Sequence, residues 1–272
     1  MAIVAEAGPS GAHGPLTDTS RARHPHVRKI EVSDVLECIE QGVRDFARAP
    51  QYGLFFGAVY AIGGLLLLWV ALSLGYFYLV YPVVMGFALL SPFASAGTYE
   101  VSRRLENGEP LSWSAVFGAV WGRAGRELGW LALVSVFTFI IWLDLAMFVF
   151  LAFYGVHVPS FPDLFREVLT TPYGLMFLAV GNGIGAVIAL VVFSFTVVSP
   201  ALLVDRDIDF ITAMSTSIRT VLTNPKPMLV WAIVIGADLV LSFATFFVAL
   251  LVVFPVLGHT TWRLYRRVIE PA

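Results

Sequence analysis

Hydrophobic residues form long uninterrupted runs along this chain, and short segments between the runs hold nearly all of the charge. Residues 51–99 contain no Asp, Glu, Lys or Arg in 49 positions, and residues 168–204 contain none in 37. A helix needs roughly 20 residues to cross a bilayer core about 30 Å thick. The first run therefore predicts two spans, over residues 54–74 and 78–96, and the second predicts one span over about residues 173–199.

Two further apolar stretches complete the pattern. Residues 128–150 predict a third span, and residues 157–172 predict an outer loop with three prolines. The last stretch, residues 228–262, has 35 residues and fits either one overlong helix or two short ones.

The distribution of basic residues favours two short helices, and hence six spans. In that arrangement 16 of the 17 Lys and Arg residues lie on one side of the membrane, and only Arg166 lies on the other. Cytoplasmic loops carry an excess of basic residues. We therefore expect both termini in the cytoplasm, because five spans would place Arg263, Arg266 and Arg267 on the opposite face.

Composition agrees with this membrane class. Hydrophobic residues make up 58% of the chain, charged residues 13%, and the mean hydropathy is +0.81, whereas soluble domains carry about 25% charged residues. Nothing in the charge distribution suggests a nucleic acid partner. The single cysteine, Cys38, excludes an intrachain disulfide and predicts inert packing. Residues 1–29 lack periodicity and predict a disordered cytoplasmic tail before a membrane domain at residues 30–270.

The segments that precede the spans repeat one another. Asp34 can cap a helix with Glu37 at its third position, and an apolar stripe follows before Pro50: Leu36, Ile39, Val43 and Phe46. Adding 175 to each number finds the same pattern: Asp209, Ile211, Met214, Ile218, Val221 and Pro225.

A weaker third copy begins at Ser112. The pattern predicts three parallel repeats, at about residues 33–107, 111–204 and 208–270, each with an interfacial amphipathic helix and a two-helix hairpin. Such repeats can arise by multiplication of one stable unit, or they can enclose a transport path on a pseudosymmetric axis.

Three stretches of sequence carry a family resemblance. They are Pro50-x-Tyr52-Gly53-Leu54-Phe55-Phe56-Gly57; Tyr99-Glu100-Val101-Ser102-Arg103-Arg104-Leu105-Glu106, continued by Gly108-Glu109-Pro110-Leu111-Ser112-Trp113; and Gly258-His259-x-x-Trp262-x-x-Tyr265-Arg266. Over about residues 28–270 the chain resembles the bacterial integral-membrane family catalogued as domain of unknown function 2189 (DUF2189). The resemblance implies a multi-pass protein of the bacterial inner membrane, and it brings no catalytic residues with it.

Asp144 and Asp238 are the only acidic residues within the predicted spans. A carboxylate at the bilayer centre costs about 2.5–3.5 kcal/mol on insertion scales unless it is neutralised or paired. Together with Asn182 they form a candidate intramembrane polar site. Each carboxyl group can serve either as a proton or cation relay or as a structural acid bonded to a neighbouring helix.

Residues 181–186 match a G-x-G-x-x-A dinucleotide fingerprint, but their flanks read as a membrane helix and no β-strand precedes them. Close helix packing through Gly181 and Gly185 is the preferred interpretation, as it is for Gly53 and Gly57 in the first span. We expect no cofactor.

The residues expected at the cytoplasmic interface are mostly basic. The predicted interface anchors are Arg103, Arg104, Trp262, Arg266 and Arg267. The nearby acidic residues are expected to form a solvated surface network: Glu100, Glu106, Glu109 and Glu127. His259 can act as a pH-sensitive group or simply as an interface residue.

These patterns predict an all-α, non-enzymatic membrane protein without catalytic residues, metal site or cofactor. Its expected partners are the lipid bilayer and either a second membrane protein or further copies of itself. A structural or accessory role is the first hypothesis, a small transporter or channel that uses the carboxylates is the second, and a membrane enzyme is the third.

Overall fold

A computed structural model describes residues 25–122, 124–156 and 160–271. The protein is all-helical, with 84% helix and no strand among these residues, and Arg123 and His157 lie outside them. Two 3-10 turns, Phe77–Leu79 and Ala88–Leu90, interrupt the second predicted span. The helices, in chain order, are α1 Val32–Arg48, α2 Pro50–Ser73, α3 Val80–Phe87, α4 Ser91–Ala94, α5 Ala96–Asn107, α6 Trp113–Trp121, α7 Gly125–Tyr154, α8 Phe161–Thr170, α9 Pro172–Thr196, α10 Ser199–Asp205, α11 Phe210–Thr223, α12 Pro225–Ala244 and α13 Leu250–Val268.

Five helical segments of the described chain are long and apolar enough to cross a membrane. They are Pro50–Ser73, Phe77–Asn107, Gly125–Tyr154, Pro172–Asp205 and Pro225–Ala244. This confirms a helical membrane protein with several spans. The sixth predicted span corresponds to α13, which is not among the five. Its last turns carry three arginines and it forms much of the protein core, so length and composition alone do not mark it as a span.

The last hairpin, α12 and α13, is shorter than the hairpin that α2 begins. Phe246 and Phe247 in its turn adopt left-handed backbone conformations, with φ of 49° and 66°. The ring of Phe247 lies 3.0 Å from the position that a Cβ on Gly64 would occupy. Because Gly64 lies well before the end of α2, the turn of the last hairpin is level with the middle of that helix.

The largest part of the protein core lies toward one end of the helices, which we call the charged end. Its largest cluster joins buried residues of α1, α5, α7 and α9–α13, with Trp231 and Trp262 among the largest side chains. By contrast, α7 exposes apolar residues along much of its length, including Phe137 and Phe148. Exposed apolar surface of this extent is expected for helices that face lipid.

Helix α1 crosses α13 through small residues. The position of a Cβ on Gly42 would lie 2.7 Å from the Thr260 backbone nitrogen, so α1 and α13 approach closely there. The packed face of α1 holds Val35, Cys38, Gly42 and Asp45. The predicted stripe is therefore not the packing face, because Leu36 and Val43 are exposed and Ile39 and Phe46 are only half-buried.

The predicted N-cap of α1 is wrong. The helix begins at Val32 with Glu31 as its N-cap, and Asp34 occupies the third helical position. There its Oδ2 accepts the Glu31 N–H at 2.7 Å. The corresponding cap of α11 is confirmed, because Oδ1 of Asp209 accepts the Thr212 N–H at 2.8 Å.

The two ends of the described chain lie side by side. Val27 forms an isolated β-bridge with Ile269, and the Arg28 N–H donates to the Val268 carbonyl oxygen at 2.8 Å. The Asn224 side chain accepts the Ile30 N–H at 2.8 Å. Of the predicted tail, residues 1–29, the first 24 lie outside the described residues, whereas residues 25–29 pack against the C-terminal segment.

The predicted outer loop contains a helix, α8. Ser160 caps it by accepting the Asp163 N–H at 3.4 Å, and Leu164 is its one buried residue. Helix α6 begins after Ser112, whose hydroxyl accepts the Ala115 N–H at 3.3 Å. A helix therefore begins at the position where the third copy is predicted to start.

Candidate functional site at the charged end

An ion pair between α1 and α13 lies inside the charged end. The carboxylate of Asp45 is 1% exposed. The Arg263 guanidinium donates to it twice, from Nε to Oδ2 at 2.7 Å and from Nη2 to Oδ1 at 2.8 Å. A bidentate pair of this kind fixes both orientation and distance. It therefore holds α1 in one position on α13.

Ser102 of α5 connects this pair to His259. Its hydroxyl donates to Oδ2 of Asp45 at 3.0 Å and lies 2.7 Å from Nδ1 of His259. Because a serine hydroxyl has one hydrogen, Nδ1 must then donate to Ser102. Nε2 has no hydrogen-bond partner among the described residues. Asp45, Ser102, His259 and Arg263 together form what we call the Asp45 cluster.

The Asp45 cluster contains the residue types of a catalytic triad without its arrangement. In a triad the histidine stands between serine and carboxylate and takes the serine proton. Here Ser102 stands between the other two, and its hydrogen goes to Asp45. Ser102 and His259 are also completely buried, so a substrate has no route to the hydroxyl in this conformation.

A second group of ion pairs surrounds Glu100, which is 1% exposed. Arg103 donates to it from Nε at 2.7 Å and from Nη2 at 2.8 Å, and Arg104 donates from Nε at 2.7 Å. Both arginines also contact Glu109. The hydrogen bond from the Asn107 amide holds the pKa of the Glu109 carboxyl below its ordinary range, and the charges of Arg103 and Arg104 lower this pKa further. The expected solvated network is therefore corrected for Glu100, which is buried because two cations neutralise it.

Further polar contacts join the end of α13 to its neighbours. The Tyr265 hydroxyl donates to Asp205 Oδ2 at 2.6 Å, and Arg266 donates from Nε to Glu106 at 3.0 Å. The Trp262 indole N–H donates to Glu106 at 2.9 Å. Because these contacts join residues up to 160 positions apart, they fix α13 against both α5 and α10.

A pocket of about 460 Å³ opens between α5, α6 and α10 beside these ion pairs. Its lining combines three guanidinium groups and two carboxylates with small residues of α6 and with Leu203 and Val204 of α10. We call it the arginine pocket. Its lining residues are Glu100, Arg103, Arg104, Ala115, Gly118, Ala119, Ala124, Leu203, Val204, Asp205 and Arg206.

A smaller cavity of about 80 Å³ lies further into the helices, between α4, α5, α9, α12 and α13. Hydroxyl groups line part of it, from Ser91, Ser95, Thr196 and Thr261, while apolar side chains and Tyr99 line the rest. We call it the hydroxyl cavity. None of its lining residues is ionised at neutral pH.

The structure does not bring together the candidate intramembrane polar residues. Asp144 is exposed on α7, whereas Asp238 is half-buried on α12. Asn182 is exposed on α9, where its Oδ1 accepts the Tyr81 hydroxyl at 2.6 Å and its Nδ2 donates to the Leu178 carbonyl oxygen at 2.8 Å. None of the three lines either cavity.

The four glycines predicted to mediate helix packing have different surroundings. Cβ atoms on Gly53 and Gly57 would lie 3.0 Å from Pro255 Cβ and 2.8 Å from the Leu250 carbonyl oxygen, so α2 and α13 are in close contact there. A Cβ on Gly185 would lie 2.6 Å from the Trp142 ring, whereas Gly181 faces open space.

The predicted interface anchors lie mainly within the ion-pair network. Trp262 is 1% exposed and packs in the core instead of facing a membrane surface. Arg103 and Arg104 bind Glu100, Arg266 binds Glu106, and Arg267 binds Asp34 and Glu37. Glu100 lies three and four positions before Arg103 and Arg104 on the same helix, a spacing that the sequence does show. The partners of Arg266 and Arg267 lie on other helices, which sequence spacing does not reveal.

Sequence reasoning did not find the Asp45 cluster. Asp45 lies in a charged stretch of α1, and Ser102 in a charged stretch of α5, so neither stands out. One signal was available: Asp45 shares a helical face with Cys38 and Gly42, and a carboxylate on a face of small residues indicates a buried partner.

Among the described residues no group of three His, Cys, Asp or Glu side chains is placed to hold a metal ion. The G-x-G-x-x-A segment lies entirely within α9. It has no strand before it, so it lacks the turn that would present backbone N–H groups to a pyrophosphate.

The fold and its apolar helices define an integral membrane protein of the all-α class. Residues 79–205 match the family model described as predicted integral membrane protein (DUF2189), and this is the family that the sequence resembles. Of the three stretches that carry the resemblance, residues 99–113 lie inside the matched region and the other two lie outside it. Comparisons with curated proteins and with solved structures found no match.

Proposed function

We propose that this protein has a non-enzymatic structural or accessory role in the bacterial cytoplasmic membrane, and that its charged end is a rigid platform on the cytoplasmic side. The observation that carries the proposal is the Asp45 cluster. A buried carboxylate is held by three donor groups from α5 and α13. Removing a partner from such a site costs several kcal/mol, so the helices that meet there are expected to stay in one arrangement.

The proposed topology has six crossings and both termini in the cytoplasm. The pairing of Val27 with Ile269 supports termini on a common side. The basic residues of α1, α5 and α13 lie at this same end, and the positive-inside rule assigns it to the cytoplasm. If α13 does not cross completely, α12 and α13 form a re-entrant hairpin that enters and leaves the membrane on the cytoplasmic side. Both termini are then still cytoplasmic.

Burial supports the correspondence between the first and the last of the three proposed repeats. In α1 the packed face includes Cys38, Gly42 and Asp45. Adding 175 gives Ala213, Ser217 and Thr220, which are also the packed face of α11. The agreement extends to the exposed face, where Leu36 and Val43 correspond to Ile211 and Ile218.

The exposed apolar stripes on α1 and α11 suit an interfacial position. A helix at the membrane surface buries its apolar face among the acyl chains while its polar face remains in water. In α1, Leu36 and Val43 form an exposed apolar strip, and Glu40 and Arg44 form an ion pair on the adjoining polar strip. We infer that these helices hold the platform at the level of the lipid headgroups.

Hydrogen exchange tests the rigidity of the platform. In detergent or nanodiscs, backbone amides of α13 between residues 258 and 266 should exchange much more slowly than those of the exposed helix α8, although both are near water. Equal exchange in the two helices would contradict a rigid platform. Copurification in mild detergent then tests the accessory role, since a stable partner or a homo-oligomer is expected.

A reporter fused after Ala272 tests the topology. The proposal expects cytoplasmic activity, as for a reporter before Met1. Periplasmic activity of the C-terminal fusion would reject both the last hairpin and the threefold scheme.

Transport of a proton, ion or small solute is the second candidate function, and the hydroxyl cavity favours it. Ser91, Thr196 and Thr261 line this cavity from three different helices, α4, α9 and α13. In proteoliposomes, Asp144→Asn and Asp238→Asn should abolish flux if the carboxylates act as relays. Unaltered flux would reject their role, and no flux in the wild-type protein would leave the structural proposal in place.

A further inference from the structure

The arginine pocket has the chemistry of a site for a phosphate group. We propose that it binds the phosphate of an anionic lipid headgroup from the cytoplasmic leaflet. This inference rests on the proposed orientation of the protein, since it needs the charged end beside that leaflet. Basic pockets between membrane helices on this side are suited to phosphate-containing headgroups, and a volume of about 460 Å³ lies in the range of ligand sites, roughly 300–1,000 Å³.

Unused hydrogen-bond donors support this assignment. Arg104 uses Nε and Nη1 in contacts with Glu100, Glu109 and Pro110, and its Nη2 has no partner among the described residues. Arg206 uses Nε and Nη2, and its Nη1 has none within the same part of the chain. A guanidinium group binds phosphate oxygens well because its planar N–H groups match their geometry.

The charge balance of the pocket leaves one positive charge. Among the described residues three arginines line it, Arg103, Arg104 and Arg206, against the two carboxylates of Glu100 and Asp205. Beyond the lining residues, Glu109 contacts Arg103 and Arg104, and Arg266 contacts Asp205 but lies closer to Glu106. The positive charge of the lining itself, which is nearest to a ligand, favours an anion over a cation or a neutral solute.

The side of the pocket formed by α6 provides the route from the leaflet. Helix α6 presents small residues to the pocket, Ala115, Gly118 and Ala119, and exposes Trp113 and Trp121 at its two ends. Tryptophan favours the level of the lipid headgroups. A headgroup beside α6 is therefore at the height of the arginines, and its acyl chains can remain in the bilayer.

Binding is tested with the full chain in nanodiscs of phosphatidylcholine with or without phosphatidylglycerol, followed by mass spectrometry of the lipid that the protein retains. The wild type should retain phosphatidylglycerol preferentially. Arg206→Gln should weaken that preference by about tenfold, because a charge-assisted contact is lost. Arg126→Gln is the matched control, since Arg126 is 83% exposed, pairs with Glu127 and does not line the pocket.

A second variant guards against loss of folding in Arg206→Gln. Gly118→Leu fills the pocket without removing a charge, and a Cβ at this position meets no atom within 4 Å. It should lower phosphatidylglycerol retention as Arg206→Gln does. Gly129→Leu, at a similarly open position on α7, should retain the lipid as the wild type does.

Competition with inorganic phosphate distinguishes a lipid headgroup from free phosphate as the ligand. If free phosphate raises the melting temperature in detergent and displaces phosphatidylglycerol, and both effects are lost in Arg206→Gln, the pocket binds soluble phosphate as well. The proposal is overturned if the wild type shows no preference for phosphatidylglycerol, with or without a phosphate effect, or if both pocket variants behave like their controls. A periplasmic reporter after Ala272 would instead reject the orientation, while phosphate binding in detergent would still be measurable.

Discussion

Acidic side chains have different surroundings at the charged end and in the membrane-spanning helices. Asp45 and Glu100 are buried and held by arginines at 2.7–2.8 Å. Asp144 is exposed on α7, and no ion pair or hydrogen bond of its side chain is present among the described residues. This difference shows that carboxylates are buried in this protein where arginine side chains pair with them. Those arginines are concentrated at one end of the helices.

The largest expected effect comes from breaking the Asp45 pair. Arg263→Gln should lower the free energy of unfolding by about 3–5 kcal/mol, because Asp45 is left as an uncompensated buried charge. Thermal unfolding in detergent measures the loss. Arg44→Gln, which breaks the exposed pair with Glu40, should cost about 0.5 kcal/mol or less. Similar losses of unfolding free energy in the two variants would show that the buried Asp45–Arg263 pair is no more important for stability than an exposed pair.

The close contact between α2 and α13 should tolerate little added volume. Gly57→Leu should cost about 1–3 kcal/mol, because its Cβ would lie 2.8 Å from the carbonyl oxygens of Leu250 and Leu251 and neither backbone can move freely. Gly236→Leu on α12 adds the same volume where no atom lies within 4 Å and should be near neutral. Chemical denaturation of both variants makes the comparison, and an equal effect would contradict the contact between α2 and α13.

Cys38 reports on the docking of α1 against α13. Burial, opposed by Arg267, raises the pKa of its thiol from about 9 to about 11. Maleimide should therefore react slowly with the folded protein at pH 8, with a rate that rises as the pH approaches 11, since the thiolate is the nucleophile. The raised pKa also predicts that this group's contribution to stability is complete below pH 9 and is lost as the pH rises through 11.

A cysteine at the exposed position 40, introduced as Glu40→Cys with Cys38→Ala, supplies the reference rate. Arg267→Gln removes the contacts with Asp34 and Glu37 and should accelerate labelling of Cys38. Rapid labelling of the native Cys38 would show that α1 is not held on α13.

The smallest expected effect belongs to the isolated carboxylate. Asp144→Asn should change the free energy of unfolding by less than about 0.5 kcal/mol, because no contact within the described chain is lost. Differential scanning calorimetry in detergent measures this change in stability. A loss comparable to that of Arg263→Gln would show that Asp144 has a partner, for example in a second copy of the chain.

Much of the architecture could be predicted because the signals are local. A run of 49 residues without charge predicts two spans by its length alone, and the structure places α2 and the segment Phe77–Asn107 there. The last hairpin was harder, since α13 combines an apolar first half with Arg263, Arg266 and Arg267. Its partners, not its own hydropathy, determine where it lies.

The candidate site was much less predictable. Asp45 and Arg263 are 218 positions apart, and Ser102 and His259 are 157 apart. No periodicity connects residues at such separations. Glu100 likewise looked like a surface residue because its neighbours are charged, yet those neighbours neutralise it and allow its burial.

The sequence by itself determined the all-α membrane class, the main spans and the unequal distribution of arginine, because bilayer thickness and the cost of charge in lipid act on each segment separately. Only the tertiary structure decided which face of α1 is packed, why Trp262 is buried and which charges share a pocket. Those properties depend on the side chains that other helices bring within a few ångströms, and contact between distant segments exists only once the chain has folded.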